Sequence, residues 1–361
     1  MLRPRTQPAR IRRKCNQLSK PPTMPVVRRD LRISRTTRVR AAKVAKGLAR
    51  APVRAQALAA VRAIMPVPPV PTNADAGETQ SLSLAPRART VEHRFGVLLT
   101  VAYDGRRFSG WARQTNARSV AGELDGAITA IDPKASQTRG LSRTDAGVHA
   151  REQLVAFDTD KDIGLRGWVL ALSQHLPDEI AVVRATRVAP GFDARRLATR
   201  KVYRYTVLHS LVRDPFLEGR AWRVMERFNH SDLNAIAQSL VGKHDFAAFR
   251  GAADTRTETV RQIFRIEVGP AHSDERITLV EVEGDKFLYN MVRIIVGTLI
   301  DIGRERRPKD ALIRALASHA RTDLGITAPP DGLCLERVTI DQRGASGEAG
   351  LNKLISWPPT H

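Results

Sequence analysis

Segregated charge limits what this chain can fold into more than any other feature. Of 59 Lys+Arg and 37 Asp+Glu, residues 1–70 hold 18 and one, the single acid being Asp30. A stretch with that ratio repels itself and has no acidic partners to pair across a packed surface, so it belongs outside any core. Its text agrees. Arginine clusters give way to the Ala-rich segment Ala41–Ile64, then to Pro66-Val67-Pro68-Pro69-Val70-Pro71 and a polar linker. Ala41–Ile64 could turn into a basic helix, but it has no apolar face with which to dock. Residues 1–92 are therefore expected to form a disordered basic extension. What remains for residues 71–361 is 41 basic against 36 acidic side chains, a net of only +5. That part is long enough and, with 42% apolar residues in the whole chain, apolar enough to bury a sizeable core.

The basic balance suits a nucleic acid partner, because phosphates attract a positive surface whatever their sequence. A solvated tail with no dedicated partner is an equal reading of residues 1–70. Cys15 and Cys334 lie far apart and suggest neither a disulfide nor a metal site, which fits a reducing compartment. The expected location is cytoplasmic. A mitochondrion or plastid is the alternative if the Arg-rich, acid-poor start is a transit peptide, although serine is sparse in it. A bacterial tail, or a start at Met24 or Met65, explains the extension equally well. No membrane is expected, since the apolar run Phe287–Ile302 is too short to span one and is broken by Asn290 and Arg293.

From Arg94 the pattern is that of an α+β protein, with strands and helices mixed without strict alternation. Phe95–Tyr103 reads as a strand ending at Asp104-Gly105. Ser119 caps a helix whose Val120, Leu124, Ile128 and Ile131 share a face. Strands follow at Leu154–Phe157, Ile180–Val188 and Val202–Val207, with a helix over Leu165–Leu176. A helix after Ser231 turns Leu233, Ile236, Leu240 and Val241 inward. Strands Ile263–Val268 and Ile277–Val282, the apolar helix Phe287–Ile302, a helix near Asp310–Ala320 and a strand Leu333–Ile340 complete the reading. The expected division is two catalytic subdomains, 93–200 and 201–345, then a tail, 346–361.

Three places could carry chemistry. In Leu141-Ser142-Arg143-Thr144-Asp145-Ala146-Gly147-Val148-His149-Ala150-Arg151, alternation along an extended segment lets Arg143 and Asp145 point the same way. A carboxylate beside a fixed cation stays ionised and oriented, which suits a nucleophile or a general base. A surface ion pair closing a strand is the plainer reading of that spacing. In Phe287–Gly297, a helix apolar nearly all round, Arg293 must either snorkel to water or meet a carboxylate, and Asp145 is the obvious candidate. In Lys201-Val202-Tyr203-Arg204-Tyr205, Lys201 and both tyrosines share one strand face, which could stack a base or could simply pack in a sheet. Gly191–Arg196 is a basic connector, and Arg195 within it is a candidate substrate contact. No cluster has metal spacing and no glycine loop has phosphate-binding spacing, so no cofactor is expected.

The string Arg-Thr-Asp-Ala-Gly-Val-His-Ala resembles the active-site motif of the TruA family of tRNA pseudouridine synthases. Phe287-Leu288-Tyr289-Asn290-Met291-Val292-Arg293 and Tyr203-Arg204-Tyr205 are similar to further family segments. So are Tyr103-Asp104-Gly105 with Phe108-Ser109-Gly110-Trp111, Val120–Leu124, Leu176–Val182 and Ala328–Leu333, so the resemblance runs in order over about residues 95–341. Ser142, where a glycine usually precedes the motif arginine, and Ala112, where glutamine is common, depart from the pattern. The resemblance implies the pseudouridine synthase fold, built from two α/β subdomains with antiparallel sheets. It also implies an isomerase with Asp145 as the catalytic nucleophile, Arg293 paired to it and Tyr203 on the target uridine. Arg143, Lys201 and Arg195 complete the expected catalytic and substrate-binding set. His149 is then structural and Tyr205 belongs to the core. The implied substrate is tRNA at the anticodon stem-loop, at about positions 38–40, and the implied assembly is a homodimer. A non-catalytic RNA-binding chaperone or assembly factor on the same fold is the alternative. Its mark would be a replaced Asp145, Tyr203 or Arg293, and all three are present.

Overall fold

A run such as Phe95-Gly-Val-Leu-Leu-Thr-Val-Ala-Tyr103, apolar at nearly every position, makes a strand only if both of its faces are covered. The computed structural model describes residues 93–341 and covers them in this way. The basic extension (1–92) and the tail (346–361) lie outside the described residues. In chain order the elements are β1 (Phe95–Tyr103), α1 (Val120–Ile131), β2 (Arg139–Gly140), β3 (His149–Thr159), α2 (Leu165–His175) and β4 (Ile180–Val188). Then come β5 (Ala198–His209), β6 (Trp222–Val224), α3 (His230–Ala237), β7 (Gly242–Asp245), β8 (Val260–Ala271) and β9 (Asp274–Gly284). The last are α4 (Met291–Gly303), α5 (Ala311–Ser318) and β10 (Leu333–Ile340).

The ten strands of the described residues belong to one sheet, with the path β4-β1-β3-β10-β5-β9-β8-β7 and, off it, β2 on β3 and β6 on β5. The mixed, mostly antiparallel architecture is the expected α+β class, but the two halves share a single sheet rather than holding one each. The boundary expected at 200/201 falls inside β5. The joint is β10, which pairs in parallel with the start of β3 (Cys334 with His149, Leu335 with Ala150) and antiparallel with β5 (Leu335 with Tyr203). The last described strand thus fills the gap between the halves and fixes the distance from β3 to β5. β2 takes the far end of the same edge of β3, opposite Val155 and Ala156.

Local signals account for most boundaries. Ser119 Oγ accepts from Gly122 N–H and starts α1, whose Val120, Leu124 and Ile128 are buried. Two elements differ from expectation. α4 begins at Met291, not Phe287, because Asn290 sits in the left-handed region (φ 62°) and breaks the backbone ladder. Asparagine tolerates that conformation, and its Oδ1 is occupied by Arg293 Nη1 at 2.8 Å. α3 is capped by Asn229, and Val241, expected inward, is exposed because the chain has already left the helix through a 3-10 turn at Gln238–Leu240.

Candidate active site

Asp145 stands in the loop between β2 and β3, held from both sides. Thr144 carbonyl accepts from Trp111 N–H at 3.0 Å, and Thr144 Oγ1 meets Tyr103 Oη at 2.8 Å. Beyond the aspartate, Gly147 N–H donates to Phe108 O at 3.3 Å, and Val148 N–H donates to Asp145 O at 3.2 Å. Gly147 has φ +80°, and a Cβ there would lie 2.9 Å from Pro330 Cγ. Both the left-handed backbone and the contact exclude a larger residue. Gly147→Ala is expected to cost roughly 1–3 kcal/mol of stability, read as a lower denaturant midpoint in equilibrium unfolding.

The carboxylate itself is 21% exposed and lies 3.6 Å from Arg293 Nη1, whose side chain is 15% exposed. That is an ion pair too long to be a hydrogen bond. Arg293 is fixed independently of it. Its Nε donates to Ala328 O at 2.8 Å and its Nη1 to Asn290 Oδ1, while Arg293 O accepts from Ala328 N–H at 3.1 Å. The guanidinium is therefore a pre-positioned charge rather than a tether. Burial pushes the Asp145 carboxyl above the usual carboxylate range, and the charge of Arg293 opposes that rise without cancelling it.

The expected pairing of Asp145 with Arg143 is not what the structure shows. Arg143 is exposed and forms no ion pair with Asp145. The segment is a loop, not a strand, so alternate residues do not share a face there. Arg195 is likewise engaged elsewhere, donating through Nη2 to Asp193 Oδ2 at 2.7 Å on an exposed 3-10 turn. Among the described residues, its hydrogen bonds and ion pair go to Asp193 and not to the aspartate loop.

Tyr203 on β5 lies near enough to Asp145 to feel its charge. It is 7% exposed, its ring stands edge-on to Phe287 with centroids 5.1 Å apart, and its Oη lies 3.1 Å from Ser142 Oγ. Lys201 Nζ reaches the same Oγ at 3.4 Å. Ser142 is held in turn by Gln153, whose Oε1 accepts from Ser142 N–H at 3.1 Å and whose amide donates to Ser142 O. Tyr205 is fully buried and donates to Pro329 O at 2.7 Å, the core role expected of it. His149 is structural in the same sense. Its Nδ1 accepts from Gly105 N–H at 3.1 Å, which leaves Nε2 to donate to Gly219 O (3.0 Å) or Asp331 O (3.1 Å).

Sequence reasoning missed Asn290, Ala328, Ser142 and Gln153 as parts of the site. Asn290 carried a readable signal, an asparagine directly before a helix. Ala328 acts through its backbone and carried none. Among the described residues, no group of three or more His, Cys, Asp or Glu could hold a metal ion, and no helix is long and apolar enough to cross a membrane.

A half-buried carboxylate has a fixed guanidinium beside it and a buried phenol near enough to feel its charge, an arrangement suited to chemistry on a polar, planar substrate. Residues 236–341 match the family model described as tRNA pseudouridine synthase. Proteins named tRNA pseudouridine synthase A resemble the chain over most of their own length. The one from Geobacter sulfurreducens is 38% identical over 242 residues, 67% of this chain and 98% of the relative. That from Moorella thermoacetica is 39% identical, covering 66% and 97%, and that from Myxococcus xanthus 38%, covering 66% and 90%. The chain belongs to the tRNA pseudouridine synthase A family.

Proposed function

We propose that this protein isomerises uridine to pseudouridine in tRNA, with Asp145 as the nucleophile. The observation that carries this reading is the Asp145–Arg293 pair, a carboxylate kept partly desolvated beside a charge that is anchored by other bonds. The reaction breaks the bond from C1′ to N1, turns the uracil and joins C1′ to C5; the C5 proton is lost and N1 gains one. A carboxylate can assist by attacking the sugar carbon or the ring, as it does at other glycosidic bonds. Desolvation makes it the better nucleophile, and Arg293 keeps enough of it ionised to react. The target base must first leave its stack, at a cost of a few kcal/mol. Exposed Arg143, at the rim of the aspartate loop, suits the space that the base vacates, and Tyr203 suits the face of the extruded uracil. Lys201 lines the same strand face, and exposed Arg195, though paired with Asp193, can present its remaining guanidinium edge to substrate.

The same reading takes the anticodon stem-loop as the substrate region, a homodimer as the assembly and the cytoplasm as the setting. Carbodiimide–primer-extension mapping on unmodified tRNA tests it. New stops with the wild type and none with Asp145→Ala support it, and stops outside the anticodon stem-loop would move the target. The basic extension contributes affinity rather than chemistry, so a chain lacking residues 1–90 is expected to keep modifying tRNA. The gap from wild type should narrow as salt is raised, because phosphate contacts weaken with salt. Complete loss of modification would refute that division of labour.

A further inference from the structure

The buried phenol of Tyr203 poses a problem of proton traffic. Burial pushes it up to about 12, so near neutrality it is protonated. A protonated phenol can take a proton from a substrate only by giving its own away at the same time. Its hydrogen-bond partner is Ser142 Oγ, and Ser142 Oγ is also the partner of Lys201 Nζ. Three polar atoms therefore form a line from the site to a half-buried amine. The middle one is held by the two backbone hydrogen bonds to Gln153, a side chain with 0% exposure.

Donor and acceptor counting gives the line two polarities. An ammonium has donors only, so with Lys201 charged Ser142 Oγ accepts from Nζ and donates its one hydrogen to Tyr203 Oη. The phenol then turns its own hydrogen towards the site. With Lys201 neutral, its lone pair can accept from Ser142, Ser142 can accept from Tyr203, and the phenol oxygen turns a lone pair towards the site. Resting on the reading of the site as a pseudouridine synthase, we propose that Ser142 and Lys201 are a relay that lets Tyr203 remove the C5 proton of the rejoined uracil. The C5–H bond breaks and its electron pair forms the C5–C6 double bond, while the pair of the C6–N1 double bond moves to N1, which takes a proton from water. The C5 proton goes to Tyr203 Oη, the phenol's own proton passes to Ser142 Oγ, and the serine proton passes to Lys201 Nζ, which becomes ammonium and later releases it to water. Ser142 and Lys201 are thus positioning residues, acting through Tyr203.

The electrostatic setting is consistent with this traffic. Burial lowers the Lys201 amine to about 8, helped by Lys286 and Arg256 and opposed by Asp285. Beyond burial, the negative charge of Asp145 favours the protonated phenol. Both polarities are then accessible over the range in which the enzyme would be assayed.

Tritium release from tRNA carrying uridine labelled at C5 reads the step directly, and kcat at saturating tRNA removes effects on binding. The wild type is expected to show kcat rising between about pH 7 and 9, with a midpoint near the Lys201 value of about 8. Ser142→Ala is expected to be about tenfold slower at pH 8 and flat over that window, with KM unchanged, and Ser142→Thr to restore the rise. Lys201→Arg preserves the charge but cannot accept a proton, so it should be equally slow and flat. A purely electrostatic or packing role would tolerate that change. Retention of the wild-type rise by either Ser142→Ala or Lys201→Arg overturns the relay. If the wild type itself releases no tritium, the pseudouridine reading fails, and the relay with it.

Discussion

Asp145→Asn is expected to lower pseudouridine formation by at least about 10³-fold while leaving tRNA affinity within roughly threefold of wild type. The substitution keeps the size and shape of the side chain and removes only its ability to attack. Fold should not suffer. Burial raises the Asp145 carboxyl above its ordinary value, so the folded state binds a proton more readily than the unfolded chain there. The sign follows. Such a group costs nothing below its unfolded value, and its penalty is fully present once the pH exceeds its folded value. At neutral pH the asparagine variant escapes that penalty, and a thermal melt should show it at least as stable as the wild type. A marked drop in melting temperature would mean that the carboxylate holds the loop together and that lost activity reports lost structure.

Arg293→Met should be the second most damaging change, with kcat down roughly 100-fold, or about 2.7 kcal/mol in the barrier. Its side chain meets three elements at once: Asp145 in the β2–β3 loop, Asn290 before α4 and Ala328 before β10. Methionine fills the volume and makes none of these bonds. Without the opposing charge, desolvation alone governs Asp145, and its carboxyl rises further. The acid limb of the pH–rate profile should therefore move to higher pH, because the reactive form is the carboxylate. Stability should fall as well, and the deficit attributable to Asp145 should shrink as the pH is lowered and that carboxyl becomes protonated. Arg293→Lys keeps the charge without the fork that serves Asn290 and Ala328 together, so it should fall between wild type and methionine. An unmoved acid limb in Arg293→Met would show that Asp145 takes its proton affinity from something other than this pair.

Much of this was written in local pattern. β1, β4 and β10 have the bounds that their apolar runs suggest, and Ser119 starts α1 where an N-cap should. Spacing alone left Asp145, Arg293 and Tyr203 each with a plainer reading; the family resemblance singled them out, and the structure sets Asp145 3.6 Å from Arg293. Long-range placement was less legible. The Arg143–Asp145 pairing assumed a strand where the chain makes a loop clamped by Trp111, Phe108 and Tyr103, none of them close in sequence. The start of α4 turned on the single φ of Asn290, which outweighs the apolar run before it. That one sheet spans both halves depends on β10 pairing with residues about 185 positions earlier, and no window of sequence contains that information.

The position of β10 also sets a timetable for the newly made chain. Tyr203 on β5 and the loop that leads into β3 are brought into register through Leu335, which lies opposite both Tyr203 and Ala150. A chain ending at Pro330 contains Asp145, Tyr203 and Arg293 but lacks the strand that pairs with both β3 and β5. During synthesis the open edges of β3 and β5 have no mate, and closing so long a loop is slow. Holding β3 and β5 at their spacing thus depends on a strand that lies about 185 residues beyond Ala150 in the chain.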